Sequence, residues 1–195
     1  NGGRVFFAET VAEANRYVAD LAKARGVKTV IKGKSMVSEE MGLNHVLESE
    51  GIEPVETDLG EYIIQLAGET PYHIIAPAIH KTRDQVADLL APGSGGKRVE
   101  EAEALTRQAR DQLRPVFERA GMGITGVNFA VAESGSIVIV TNEGNGRMAS
   151  SAPRIHVACM GMEKVIPSVR DLSLFLRILI RSATGQRITT YVSMI

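Results

Sequence analysis

The sequence has one cysteine, no long hydrophobic run and no excess of charge of either sign, and each absence excludes a class of protein. A single cysteine, Cys159, excludes an internal disulfide and any cluster held by four cysteines of this chain. A net charge of −1 gives no electrostatic footprint for nucleic acid or an anionic membrane surface. The most apolar segment, Leu172–Ile180, is short and is interrupted by an arginine, so we predict no membrane span.

The 195 residues, 44% of them hydrophobic, are enough for one domain with a full core. We predict a single domain over residues 1–195, with a helical N-terminal portion at 1–26 and a linker at 91–98. No signal peptide is visible, and the cysteine content fits a reducing, cytoplasmic setting. Because the chain does not begin with Met and ends inside a strand-like run, we expect it to be a fragment of a longer protein.

Strand-like and helix-like segments alternate along the first ninety or so residues. The predicted strands are Val27–Ile31, Glu53–Thr57 and Tyr72–Ala76. The helix after each strand is predicted to begin at Ser38, at a capping box from Asp58 to Glu61, and at a capping box from Thr82 to Gln85. Three rounds of strand then helix predict an α/β fold with a mostly parallel, Rossmann-like sheet.

The second half of the chain adds an antiparallel hairpin, because the apolar runs Val127–Ala132 and Ser136–Val140 flank a tight turn at 133–135. The other predicted elements of this half are a long helix over Val99–Ala120 that Pro115 should kink or break, a strand at Ile155–Cys159, a helix over Ser168–Arg181 and a last strand at Arg187–Ser193.

A polar, glycine-rich loop follows the hairpin, from Thr141 to Arg147. Strands as apolar as these are expected to be buried, so the loop should emerge from the middle of a sheet. Such a loop suits ligand binding, although an ordinary surface loop is the alternative. The candidate ligand-binding residues here are Asn142, Glu143, Asn145 and Arg147.

A second group of candidate ligand-binding residues, Lys32, Lys34 and Ser35, follows the first predicted strand. Ligands gather beyond the carboxyl ends of parallel strands, and a lysine and a serine near a helix start can hold a carboxylate or phosphate. The alternative is a solvated turn. A nucleotide P-loop is excluded, because the glycine required five residues before Gly33 is Lys28.

Two residues are candidates for acid–base or nucleophilic chemistry, and no catalytic residue can be assigned between them. His80 follows the third predicted strand and could be a general acid or base, or simply a surface histidine. Glu133 in the hairpin turn could be a nucleophile in acyl transfer, although turns are often acidic for solvation alone. The four histidines have no metal-binding spacing, so we predict no metal site.

Three long segments together resemble a known family. They are KGKSMVSEEMGLNHVLESEGIEPVETDLGEYIIQL at 32–66, ITGVNFAVAESGSIVIVTNEGNGRM at 124–148 and PRIHVACMGMEKVIPS at 153–168. The first resembles the iron-sulfur subunit of the bacterial lactate-utilisation system, the lactate utilisation protein B family. The other two resemble the LUD domain of the same family.

The resemblance implies a fold similar to the NagB/RpiA/CoA-transferase group, a three-layer α/β sandwich. It implies a role beside two sister subunits in the oxidation of L-lactate to pyruvate. It also implies a ferredoxin-like part after this domain, with two [4Fe–4S] clusters on cysteine-rich motifs that this chain does not contain. With one cysteine, the chain itself should bind no iron.

Three functional hypotheses remain open. The chain is the LUD domain of an electron-transfer subunit that binds a substrate, a cofactor or a partner subunit and has no turnover alone. Alternatively it is a small-molecule enzyme like the isomerases or CoA transferases of the fold, with a small carboxylate or phosphate ligand. The third hypothesis is a non-catalytic assembly module.

Overall fold

The fold is built on two four-stranded sheets, one parallel and one mixed. The computed structural model describes residues 2–72, 76–141, 143–189 and 191–195. The strands are β1 (Thr29–Lys32), β2 (Glu53–Glu56), β3 (Met122–Gly126), β4 (Phe129–Val131), β5 (Ser136–Thr141), β6 (Ile155–Cys159), β7 (Val165–Ile166) and β8 (Tyr191–Met194). The α-helices are α1 (Val11–Ala24), α2 (Met36–Glu40), α3 (Leu43–Ser49), α4 (Leu59–Ala67), α5 (Arg83–Leu90), α6 (Ala102–Arg119), α7 (Asn145–Ser151) and α8 (Val169–Thr184).

The first sheet is parallel throughout, with strand order β2-β1-β3-β6. Neighbouring residues of β1 face opposite sides of it, as the pleat requires. Val30 packs against α1 and α3, whereas Ile31 packs against α6 and α7. Both faces are therefore covered by helices, as is usual for parallel sheets. This confirms the predicted α/β class and is consistent with a three-layer sandwich.

The second sheet has strand order β7-β4-β5-β8 and contains the predicted hairpin, which is β4 and β5. β4 pairs in parallel with β7, and β5 pairs antiparallel with β8. One face of this sheet buries Val131, Val138 and Ile166 against Leu172 of α8. The hairpin therefore forms a second core, and β5 is an inner strand, so the loop after it emerges from within a sheet as predicted.

Helix α7 joins the two sheets, because it contacts β3 of the first and β5 of the second. It packs on β3 at Gly123, where an added Cβ would lie 1.8 Å from the carbonyl oxygen of Ala149. Only glycine can occupy this position without moving the helix. The predicted loop position of Asn145 and Arg147 is wrong, since both lie in the first turn of α7.

Two of the three predicted helix starts are confirmed, and one is wrong. The capping box between Thr82 and Gln85 is confirmed at α5. The prediction that Ser38 caps the second helix is wrong, because Ser35 is the N-cap of α2 and Ser38 lies inside it. At α4, Asp58 accepts hydrogen bonds from the backbone N–H groups of Gly60 and Glu61, so the cap is formed by the aspartate.

Several predicted bounds shift. Helix α6 begins at Ala102 and continues through Pro115, so the predicted break there is wrong. The 91–98 linker contains a short 3-10 helix at Pro92–Ser94, and the last strand is β8 rather than Arg187–Ser193. The strand predicted at Tyr72–Ala76 falls mainly on residues 73–75, which lie outside the described residues. In the described part of the N-terminal portion, α1 is helical and residues 2–10 are not.

Candidate functional site

The carboxyl ends of β1 and β2 carry a buried ion pair. Lys32 and Glu56 are register partners at the last residues of these strands. The Nζ of Lys32 lies 2.6 Å from Oε1 of Glu56, and Lys32 is 0% exposed. Asn44 of α3 donates a second hydrogen bond to the same oxygen at 3.0 Å. Because Lys32 is buried and paired, its contacts are those of a structural ion pair, and the ligand-binding role predicted for it stays a prediction.

The other two predicted ligand-binding residues of this loop, Ser35 and Lys34, differ in their contacts: the Ser35 hydroxyl is already hydrogen-bonded within the chain, whereas Lys34 is exposed. The Oγ of Ser35 accepts a hydrogen bond from the backbone N–H of Ser38 at 3.2 Å, and Ser35 is buried. It therefore serves as a helix cap, and its predicted role in ligand binding is not what its contacts indicate. Lys34 is exposed to solvent between β1 and α2.

Glu61 is the most perturbed acid of this region, and it is 2% exposed in the first turn of α4. Burial raises the pKa of its carboxyl to about 8, with further contributions from a hydrogen bond to Glu39 and from the negative charges of Glu39 and Glu56. The positive charge of Lys34 acts in the opposite direction. At pH 7, Glu61 is therefore mostly protonated and can donate its proton to the carboxylate of Glu39.

Glu143, which follows β5, belongs to the same electrostatic group. Loss of solvation raises the pKa of its carboxyl, and the negative charge of Asp58 raises it further, whereas Lys34 lowers it. Lys34 thus interacts with acids from two different parts of the chain, Glu61 of α4 and Glu143 of the loop. We call the group formed by Lys34, Glu39, Asp58, Glu61 and Glu143 the Lys34 site.

Two glycines bring the loop after β1 against the start of α7. An added Cβ on Gly33 would lie 3.4 Å from the Cα of Gly146, which is a close approach of two backbones. The backbone carbonyl of Glu143 accepts a hydrogen bond from Thr141 at 2.8 Å, which fixes the turn before α7. The loop after β1 and the glycine-rich loop therefore meet. Asn142 lies outside the described residues.

The other predicted ligand-binding residues of the glycine-rich loop are Asn145 and Arg147, and both lie in helix α7. Asn145 is half-buried in the first turn of α7. The guanidinium of Arg147 lies over the ring of Tyr191, 5.8 Å from its centroid. Arg147 therefore contacts the edge of the second sheet.

The two catalytic candidates make contacts elsewhere. The Nε2 of His80 lies 2.7 Å from a carboxylate oxygen of Glu69 at the surface, and Lys81 pairs with the same carboxylate. Glu133 accepts a hydrogen bond from the backbone N–H of Val169 at 3.0 Å, at the start of α8. It precedes β5, whereas Glu143 follows that strand, so the two acids are about 20 Å apart at 3.3 Å per residue. Neither candidate belongs to the Lys34 site.

Sequence reasoning missed Glu39 and Glu61, because acids in the first turn of a helix are already explained by the helix dipole and by capping. The available signal was that both helices start after neighbouring strands of one parallel sheet, with Lys34 just before the first of them. An unfavourable cluster of carboxyl groups is then expected there, and carboxyl groups brought together are held partly protonated.

The side chains of the Lys34 site can form hydrogen bonds to a ligand and can exchange protons with it. A lysine cation and a neutral carboxyl group can both donate to an anionic oxygen, and the nearby carboxylates can accept from a hydroxyl. Within the described ranges, no group of three or more His, Cys, Asp or Glu side chains is arranged to hold a metal ion. Burial raises the pKa of the Cys159 thiol, which makes it a poor nucleophile.

Comparison with known proteins identifies the family. Residues 1–195 match the family model described as LUD domain. The chain belongs to the LUD domain family. It is 50% identical to lactate utilization protein B of Exiguobacterium sp. over 98% of this chain and 41% of that protein, and 47% identical to the protein of the same name from Bacillus subtilis (strain 168) over 98% and 40%. No solved structure matches it significantly.

A relative with a different name is equally similar. The protein from Escherichia coli (strain K12) called uncharacterized electron transport protein YkgF is 48% identical over 98% of this chain and 40% of its own length. The LUD domain chain thus spans about 40% of the length of these relatives. A bilayer could not be crossed by any helix in the part of the chain that the structure describes.

Proposed function

We propose that this chain is the LUD domain of an electron-transfer protein that takes part in the oxidation of L-lactate to pyruvate. The observation that carries this proposal is the 46 to 50% identity to proteins named lactate utilization protein B across 98% of the chain. The name of the similar E. coli protein adds support for electron transport. The whole system would include partner subunits and would work in the cytoplasm.

We further propose that the Lys34 site binds the carboxylate of a small hydroxy or oxo acid. The exposed ammonium of Lys34 attracts the carboxylate, and Glu61 behind it is mostly protonated at pH 7, so it adds no full negative charge that would repel the ligand. The acids Glu39 and Glu143 can accept the hydrogen bond of a 2-hydroxyl group. L-Lactate has both groups on adjacent carbons, and pyruvate retains the carboxylate.

The electron carriers are proposed to lie outside this chain. A [4Fe–4S] cluster needs four cysteine thiolates, and this chain offers only Cys159, so its residues do not fit such a cluster. The ferredoxin-like part implied by the family resemblance would supply them. We therefore expect the 195-residue chain alone to form no pyruvate from L-lactate, whichever electron acceptor is added.

Binding is tested by calorimetry of the 195-residue chain with L-lactate, pyruvate, a sugar phosphate and a CoA ester. We expect binding of the first two only, and at least a tenfold weaker affinity in Lys34→Met, since a charged hydrogen bond contributes about 1.5–3 kcal/mol. The control is Lys28→Met, an exposed lysine just before the opposite end of β1. Preferential binding of a sugar phosphate or a CoA ester would favour the isomerase-like or transferase-like alternative.

The cellular role is tested by a chimera in which this chain replaces the matched region of the B. subtilis protein. In a B. subtilis strain that lacks its own lactate utilization protein B, the chimera should restore growth on L-lactate. The Lys34→Met chimera should restore it less. A chimera that accumulates normally and restores no growth on L-lactate would contradict the proposed role.

A further inference from the structure

Exposed apolar side chains are concentrated on α8 and β8. Leu174, Phe175 and Ile178 of α8 are exposed, the last by 53%. Val192 and Met194 of β8 are 42% and 48% exposed. We call these five residues the α8–β8 face. Large apolar side chains exposed on two elements of the same half-domain are candidates for an interaction surface.

The strand register places the β8 residues on the same side of the second sheet as α8. Val192 pairs with Val140, and Met194 pairs with Val138. Cross-strand partners lie on the same face of a sheet, and Val138 and Val140 pack in the core that α8 covers. Helix α8 therefore covers the inner strands and leaves this side of β8 open beside it.

The charge pattern of this region indicates the chemistry of its partner. Residues 172–195 contain three arginines, Arg177, Arg181 and Arg187, and no Asp or Glu. All three arginines are exposed. A complementary surface would be apolar at its centre and would carry carboxylates at its rim.

The strand edge points to a polypeptide partner. In the order of the described strands, β8 is the terminal strand of its sheet, with β5 on one side only. Its other edge presents backbone N–H and C=O groups that another chain segment can pair with. Lipid tails offer no such hydrogen bonds, so a protein segment fits this surface better than a membrane.

We propose that the α8–β8 face packs against the additional polypeptide that longer members of the family have outside the matched region. The relatives provide it, since this chain spans about 40% of their length. The contacting segment would carry apolar residues over Leu174, Ile178 and Met194 and carboxylates near the arginines. This proposal rests on family membership and does not depend on the role in lactate oxidation.

The test compares amide hydrogen exchange in the 195-residue chain and in the B. subtilis chimera. We expect exchange in β8 and the exposed turns of α8 to slow by about tenfold or more in the chimera, because packing and strand pairing protect amides. Equal exchange in both proteins would overturn the proposal. Because the readout is structural, failure of the chimera to support growth on L-lactate would leave this result interpretable.

A matched pair of variants separates packing from general surface effects. Ile178→Glu should lower the melting temperature of the chimera and leave that of the 195-residue chain unchanged or higher. Val11→Glu, at a helix position that is also 53% exposed, should lower neither melting temperature. The proposal is overturned if Ile178→Glu instead dissociates a dimer of the 195-residue chain that persists in the chimera, or releases the chimera from vesicles of phosphatidylcholine and phosphatidylglycerol.

Discussion

Lys32 and Glu56 face each other across the ends of two parallel strands, and their side chains form a buried ion pair with an Nζ–Oε1 distance of 2.6 Å. Sequence analysis treated Lys32 as a ligand-binding residue, because lysines after a parallel strand commonly meet ligands. Its burial instead makes it part of the frame that holds the edge of the sheet. Lys34, two residues later, is the exposed lysine of this loop.

Breaking this ion pair should destabilise the domain strongly. Lys32→Met leaves the Glu56 carboxylate buried without its cation, which typically costs about 3–5 kcal/mol. The double variant Lys32→Met with Glu56→Leu should be less destabilised than the single variant, because no buried charge is left. Urea denaturation at pH 7 measures both. A double variant that is less stable than Lys32→Met would contradict this account.

Glu61 should make the stability of the domain fall as pH rises. The native state keeps the Glu61 proton up to about pH 8, whereas the unfolded chain loses it near 4.5. Between these values the native state binds more protons, so the free energy of unfolding decreases with pH, by up to about 1.4 kcal/mol per pH unit from this group. Above about pH 8 this contribution levels off.

The variant Glu61→Gln isolates the effect, because the amide keeps a donor for Glu39 and does not titrate. Its stability relative to the natural chain should rise steadily from pH 5 to pH 8 in urea denaturation series. The exposed Glu103→Gln, on α6, serves as a control for the loss of a surface carboxyl. His156, whose pKa burial lowers, acts in the opposite direction below pH 6.5 in all the variants and cancels in the comparison.

Gly123 should tolerate no side chain. Gly123→Ala would place a Cβ 1.8 Å from a backbone oxygen of α7, and backbone cannot move aside as a flexible side chain can. We expect a loss of about 3 kcal/mol or more, at the upper end of overpacking effects, together with displacement of α7. Gly144→Ala is the matched control, since its φ is −77° and no atom lies within 4 Å of its added Cβ. Thermal denaturation that ranks the two variants equally would refute this packing.

Glu133 should act as a helix cap. Glu133→Ala removes the acceptor for the backbone N–H of Val169 and a negative charge at the N-terminus of α8, at a cost of about 1 kcal/mol. Any L-lactate binding measured by calorimetry should be unchanged. Loss of binding without loss of stability would instead restore Glu133 as a candidate for catalysis.

The sequence predicted local elements better than their assembly. The strand at Ile155–Cys159 and the hairpin are present because apolar alternation and a tight turn are local signals. The second sheet was not predicted, since β4 joins a two-residue strand, β7, whose pairing is set by tertiary contacts. Helix α7 was missed because its residues, Asn145–Ser151, have no apolar period and depend on packing against Gly123.

The candidate site was predicted in part for a similar reason. Lys34 and Glu143 were recognised from their positions after strands, and the structure brings them into one electrostatic group. The protonation of Glu61 could not be read from sequence. It results from burial and from the approach of Glu39 and Glu56, and each of these depends on how helices α2 and α4 meet the end of strand β2.

The central pairing of the parallel sheet also constrains how the chain folds. Val30 pairs with Met122, so β1 can pair on this side only with a strand that lies beyond the middle of the chain. Closing so long a loop is slow, and until then the apolar β1 has an open edge that can pair with other molecules. A polypeptide that stops before β3 would therefore be expected to aggregate rather than form half of the domain, and the edge of β1 stays open in a nascent chain until β3 has been synthesised.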